Sequence, residues 1–91
     1  MKTEQFYNKN QFIIREGKKI TFQSYGSTIA IYDGENLVLG ADWDYSSATR
    51  KHLYLFIEDF CPQFATYSKN KRKDIQNMID NAMIGYSEAL R

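Results

Sequence analysis

The segment Asp42-Trp43-Asp44-Tyr45-Ser46-Ser47-Ala48-Thr49-Arg50-Lys51-His52-Leu53-Tyr54 gathers the only Trp, the only His, two acids, two bases and two Tyr into one junction. Carboxylates two residues apart on an extended segment point the same way, so Asp42 and Asp44 could face one ligand or metal. A hard cation needs more oxygens than that, and no Asp-x-Asp-x-Asp-Gly spacing supplies them. Capping of the following helix by one acid and pairing of the other with Arg50 or Lys51 is the simpler use. His52 would need a Ser or Cys within hydrogen-bond reach and an orienting acid to serve a nucleophile. Cys61 lies nine residues on, past a helix stop and on a different face. No Gly-x-Ser-x-Gly elbow, Gly-rich phosphate loop or His-Glu-x-x-His pair occurs. The reading is therefore a protein that is not an enzyme, with no catalytic residue, no metal site and no cofactor.

Binding chemistry is better represented. Lys69, Lys71, Arg72 and Lys73 fall in or beside the first turn of a second helix, where the macrodipole disfavours cations. An anion at that end would meet both the helix terminus and the bases, and Arg50 and Lys51 place two more bases in the first turn of the first helix. The bland alternative is a solvated charged face partly offset by Asp74. Tyr54, off the apolar stripe, could stack on a base or enter a partner's pocket. Arg50, Lys51, Tyr54, Lys69, Lys71, Arg72 and Lys73 thus form a candidate surface for nucleic acid or a nucleotide. Asp42, Trp43, Asp44 and Tyr45 form an alternative surface for a host or defence protein. For Trp43, as for Tyr25, closure of the core edge is the competing use.

Hydrophobic periodicity indicates the elements that must position these residues. Strands are predicted at Gln11–Arg15, Lys19–Tyr25, Ser27–Tyr32, with Ile29 and Ile31 sharing one face, and Leu37–Leu39. Asp33-Gly34 marks a hairpin turn. Past the junction the period becomes helical, with Thr49, Leu53, Phe56, Ile57 and Phe60 on one stripe, Ser46 or Ser47 as cap, and Cys61-Pro62 as stop. Phe64 and Tyr67 anchor the loop that follows. A second helix spans about 70–81, with Ile75, Met78, Ile79 and Ala82 on its buried stripe. The tail from Met83 fits a short edge strand and a helix equally. Residues 1–10 read as a flexible polar lead-in. The expected fold is α+β: a four-stranded antiparallel meander followed by two helices packed on one face, with a possible short C-terminal edge strand.

Bulk composition bounds the rest. Ninety-one residues make one domain with a modest core, and a formal net charge of +1 excludes strong overall attraction to a polyanion. Charge is instead segregated: Asp33, Glu35, Asp42 and Asp44 share a base-free stretch, whereas Lys69 to Lys73 is acid-free. Seven tyrosines favour half-wet positions and a sizeable interface. The uncovered sheet face or an edge strand could pair with a second copy as a homodimer. A single cysteine excludes an internal disulfide. Neither a signal peptide nor an apolar run of the ~18 residues needed to span a membrane is present, so a cytoplasmic location with no membrane partner is expected.

Ser24-Tyr25-Gly26-Ser27-Thr28-Ile29-Ala30, Asp42-Trp43-Asp44-Tyr45-Ser46 and Thr49-Arg50-Lys51-His52-Leu53-Tyr54-Leu55-Phe56 together resemble a group of small uncharacterised proteins of phages and conjugative elements of Gram-positive bacteria. In that group a SYxSxIA strand and a DWDYS…KHLYxF junction precede a Lys-rich helix, a likeness covering about residues 20–82 here. The resemblance implies an accessory role in a mobile element, acting by binding host or defence components. It implies no activity.

Overall fold

The structure is a computed structural model that describes residues 2–66 and 69–90. Tyr67, expected to anchor a loop, lies outside them. The chain runs β1 (Lys2–Phe6), β2 (Asn8–Glu16), β3 (Lys19–Ser24), β4 (Ser27–Tyr32), β5 (Leu37–Gly40), α1 (Ser47–Phe60), a 3-10 turn (Pro62–Phe64), α2 (Lys71–Asp80) and β6 (Gly85–Ser87). Six strands lie in the order β1-β2-β3-β4-β5-β6. The first five form antiparallel pairs, and β6 joins β5 in parallel after the two helices. The α+β reading holds: the four expected strands are joined at one edge by β1, which was not expected, and at the other by β6, the possible C-terminal edge strand.

The first correction is at the N-terminus. Residues 1–10, read as a flexible lead-in, contain β1 and the start of β2. Edge strands carry charge to block further pairing, and Lys2 and Glu4 gave β1 its polar look. Its inward residue is Phe6, 7% exposed, whose ring meets Phe22 at 5.8 Å and Phe56 at 6.5 Å. Glu4 pairs across to Arg15 at 2.9 Å, and the Arg15 guanidinium lies 5.1 Å above the Phe60 ring.

A second correction concerns β4. Phe22 pairs with Ala30 but Gln23 pairs with Thr28, leaving Ile29 as an extra residue. This bulge turns both Ile29 and Ala30 inward, at 1% and 0% exposure, and leaves Ile31 partly exposed. Ile29 and Ile31 therefore do not share a face. Ile31 lies instead in register with Ile14, Thr21 and Val38, and none of these four belongs to the core cluster.

That cluster is continuous. It joins Phe6, Ile13, Phe22, Ile29, Ala30, Tyr32, Leu37 and Leu39 of the sheet to Leu53, Phe56 and Ile57 of α1 and Ile75 of α2. Ser46 caps α1 by accepting from the Thr49 N–H at 3.1 Å, and Asn70 caps α2 by accepting from Lys73 N–H at 3.1 Å. The second helix stops at Asp80. Ala82, placed on its stripe by periodicity, is exposed at φ +58. Ala82 N–H donates to Ile79 O at 3.0 Å and Met83 N–H to Met78 O at 2.8 Å, the paired bonds of a left-handed helix cap.

Gly40 is where the sheet meets the returning C-terminus. Ala41 N–H donates to Leu90 O at 3.0 Å. A Cβ on Gly40 would lie 2.5 Å from Thr28 O and 2.7 Å from Leu90 O, both backbone atoms with little room to yield. Gly40→Ala is expected to lower stability by about 1–3 kcal/mol, as overpacking does. A urea-unfolding midpoint equal to that of the unsubstituted chain would refute this close approach.

Candidate functional site

The junction between β5 and α1 is built around Trp43. At 4% exposure it is part of the core, the use the sequence favoured for it, so it drops out of the alternative partner surface. Two tight turns carry the chain past it, with Trp43 N–H donating to Gly40 O at 3.2 Å and Tyr45 N–H to Asp42 O at 3.1 Å. The segment is therefore not extended, and the two carboxylates do not act on one point. Asp44 is directed to the helices. Asp42 lines a cavity on the sheet side of the junction.

Asp44 receives two arginines. Its Oδ1 is 2.7 Å from Arg50 Nη1, and its Oδ2 accepts from Arg72 Nε at 2.7 Å and Nη2 at 2.6 Å. The hydrogen bonds from Arg72 are the main reason its carboxyl is held below the usual aspartate range, with Arg50 adding to the effect and burial opposing it. The basic starts of α1 and α2 are thus brought together, as the spacing suggested, but around a carboxylate of the same chain. Lys71 is 3.7 Å from Glu58 and 5.7 Å above the Tyr54 ring. Tyr54, expected to be exposed, is half-buried against the core, and burial raises its hydroxyl pKa. Lys51, Lys69 and Lys73 are exposed, and no ion pair engages them among the described residues.

The groups considered for catalysis are occupied or enclosed. His52 Nδ1 lies 2.8 Å from Ala48 O, a bond the ring must donate. Cys61 is fully buried, and burial pushes its thiol up to about 12, far from a reactive thiolate. Among the described residues no group of three or more His, Cys, Asp or Glu could hold a metal ion. None of the helices there is long and apolar enough to cross a membrane.

A concave feature lies where the β3–β4 turn faces the start of α1. Ser24, Tyr25, Ser27, Ile29, Asp42, Tyr45 and Thr49 line a cavity of about 210 Å³. Its floor is a hydroxyl cluster, with Ser24 Oγ 3.5 Å from Thr49 Oγ1, which accepts from the cap residue Ser46 Oγ at 3.1 Å. Its rim carries Tyr25 and Tyr45, 62% and 78% exposed. Tyr25 and Gly26 both have positive φ, +51 and +83, as the two-residue hairpin turn requires. That turn prefers Asn, Asp or Gly in the first place, so Tyr25 departs from the usual pattern and only Gly26 marks the turn in the sequence. Of the two uses the sequence allowed Tyr25, closure of the core edge is ruled out by its exposure, and its proximity to Asp42 across the cavity was not foreseen.

The fold defines a small α+β protein whose candidate site residues gather around one strand-to-helix junction. The chain belongs to a family of unknown function, DUF8033, which matches residues 1–77, from β1 through most of α2. No curated protein and no solved structure matches it.

The Asp44 clamp has a pH signature. A carboxyl whose folded pKa is depressed contributes stability that is fully present above the unfolded value, near pH 4, and lost as pH falls through the folded value. Asp44→Asn is therefore expected to destabilise the chain at pH 7 and to flatten its acid-unfolding curve below about pH 4. Parallel pH dependence of the variant and the unsubstituted chain would show that the clamp contributes nothing.

Proposed function

We propose that the chain is a non-enzymatic accessory binding protein of a phage or mobile element, and that it engages a partner protein through the surface bracketed by Tyr25 and Tyr45 around Asp42. One observation carries this reading: two exposed tyrosines rim a cavity beside an acid that, among the described residues, has no side-chain hydrogen bond or ion pair. Exposed aromatics around a concave centre are the usual anchors of protein interfaces. A counter-defence inhibitor directed at a basic surface fits this reading, with Asp42 as the acid beside the two tyrosines. The mobile-element setting is supported by the SYxSxIA and DWDYS…KHLYxF resemblance.

A second reading, nucleic-acid binding through Arg50, Lys51, Tyr54, Lys69, Lys71, Arg72 and Lys73, is favoured by one specific observation. These six bases outnumber Asp44, Glu58 and Asp74, leaving a local surplus of +3. Against it, Arg50 and Arg72 are held by Asp44, and Lys71 faces Glu58. Each phosphate contact adds about 0.9 to the slope of log affinity against log salt. Three exposed lysines predict a shallow slope and weak binding.

The two readings separate in one set of variants. Capture of a partner from a Gram-positive host lysate should be lost in Tyr25→Ala/Tyr45→Ala and retained in Lys51→Ala/Lys69→Ala/Lys73→Ala. The reverse pattern, together with salt-sensitive gel shifts of DNA or RNA, would replace the first reading with the second.

A further inference from the structure

We propose that the cavity between the β3–β4 turn and the start of α1 is a socket for one organic cation, an alkylammonium or guanidinium group. This rests on the reading of the Tyr25–Tyr45 surface as the binding site and names the chemistry that it selects. Among the described residues Asp42 is the one formally charged member of the lining. Tyrosine ring faces attract cations, and a pair of rings at a rim beside a carboxylate is the arrangement of an aromatic cage. The Ser24, Ser27 and Thr49 hydroxyls add oxygen acceptors at the floor, suited to an N–H donor that carries no acceptor of its own.

Size narrows the occupant. At about 210 Å³ the cavity falls below the roughly 300–1,000 Å³ of pockets for drug-sized ligands. It suits one long side chain or one small amine. The competing occupant is an anion at the start of α1, which the helix dipole would favour. Two features oppose it: the Ser46 hydroxyl already caps that terminus, and the Asp42 carboxylate would repel a second negative charge. Tyr25 adds a separate indication. It holds a left-handed backbone angle that bulky residues avoid, while its side chain makes no hydrogen bond or ring contact among the described residues.

The test is an amide chemical-shift titration of the full chain with n-butylammonium chloride, Nα-acetyl-arginine methylamide, Nα-acetyl-norleucine methylamide and sodium phosphate. The cations are expected to shift the amides of residues 24–27, 42–45 and 49 saturably. Asp42→Asn and Tyr45→Ala should each weaken that binding about tenfold or more, and well-dispersed spectra would show that both variants remain folded. Binding of the arginine derivative alone would assign the socket to a partner's side chain, and equal binding of butylammonium would extend it to free amines. Equal binding of the norleucine derivative, shifts from phosphate but not from the cations, or no saturable shift would overturn the proposal. If the cations fail while Tyr25→Ala/Tyr45→Ala still abolishes partner capture, the surface stands and only the cation assignment falls. Loss of capture specificity with cation binding intact would instead remove the partner-protein reading and leave a small-amine site.

Discussion

Burial of Trp43 is the constraint on which the rest of the surface depends. A large aromatic side chain inserted into the core midway between a strand and a helix fixes the path of the residues beside it. Truncating a buried Phe or Trp costs about 3–5 kcal/mol, whereas exposed ion pairs contribute about 0–1 kcal/mol each. The Asp44 pairs, only partly buried, are closer to the second class. The tryptophan therefore sets the geometry, and the arginines adapt to it. With Trp43 turned inward, Asp44 reaches the starts of both helices while Asp42 is left on the cavity side. The division of the junction into a cationic and an anionic side follows from that single insertion.

Elements whose signal is local were legible in the chain. The alternation of β3, the Asp33-Gly34 turn and the stripe of α1 all appear where periodicity placed them. The misses share a physical cause, because each depends on a partner distant in sequence or on a break in the period. Strand β1 is polar as an edge strand should be, so composition made it resemble a lead-in. The extra residue Ile29 reverses the facing of Ile31, and strict alternation has no place for it. Strand β6 is not a miss, since a short C-terminal edge strand was one of two expectations for the tail, but it is three residues long and its parallel pairing with β5 forms only after two helices have crossed over. The tail's two equal readings could not be separated without that pairing.

At the site, residue types were legible and their partners were not. Arg72 reaches Asp44 across 28 residues of sequence, so a run of bases that looks unopposed in the chain is opposed in space. The same closure explains why cations are tolerated at the start of α2. Asn70 supplies the cap, and Asp44 supplies the negative charge that the first turn itself provides only through Asp74. Tyr54 was misjudged for a related reason. It lies off the stripe of α1, but the second helix crosses nearby, placing Lys71 over its ring. A helix packed against a sheet and a second helix buries more than one stripe.

Among the described residues three non-glycine residues hold positive φ angles, and they differ in what their surroundings return for the strain. Each such angle costs on the order of 1–3 kcal/mol unless its surroundings offset it. Tyr7, at φ +63, donates its hydroxyl to Asp59 at 2.8 Å and sets its ring 4.6 Å from Phe6, edge to face. Ala82, at φ +58, closes α2 with two backbone bonds that satisfy otherwise orphaned carbonyls. Tyr25, at φ +51, forms one backbone bond to Asn10 O at 2.9 Å, and an Asn or Gly could form that bond with less strain. Its ring adds nothing to the core and remains mostly in water. Folding alone gives no reason for tyrosine at that position. It does line the same cavity as Tyr45 and Asp42, which is the one structural context in which its exposed ring has neighbours of note.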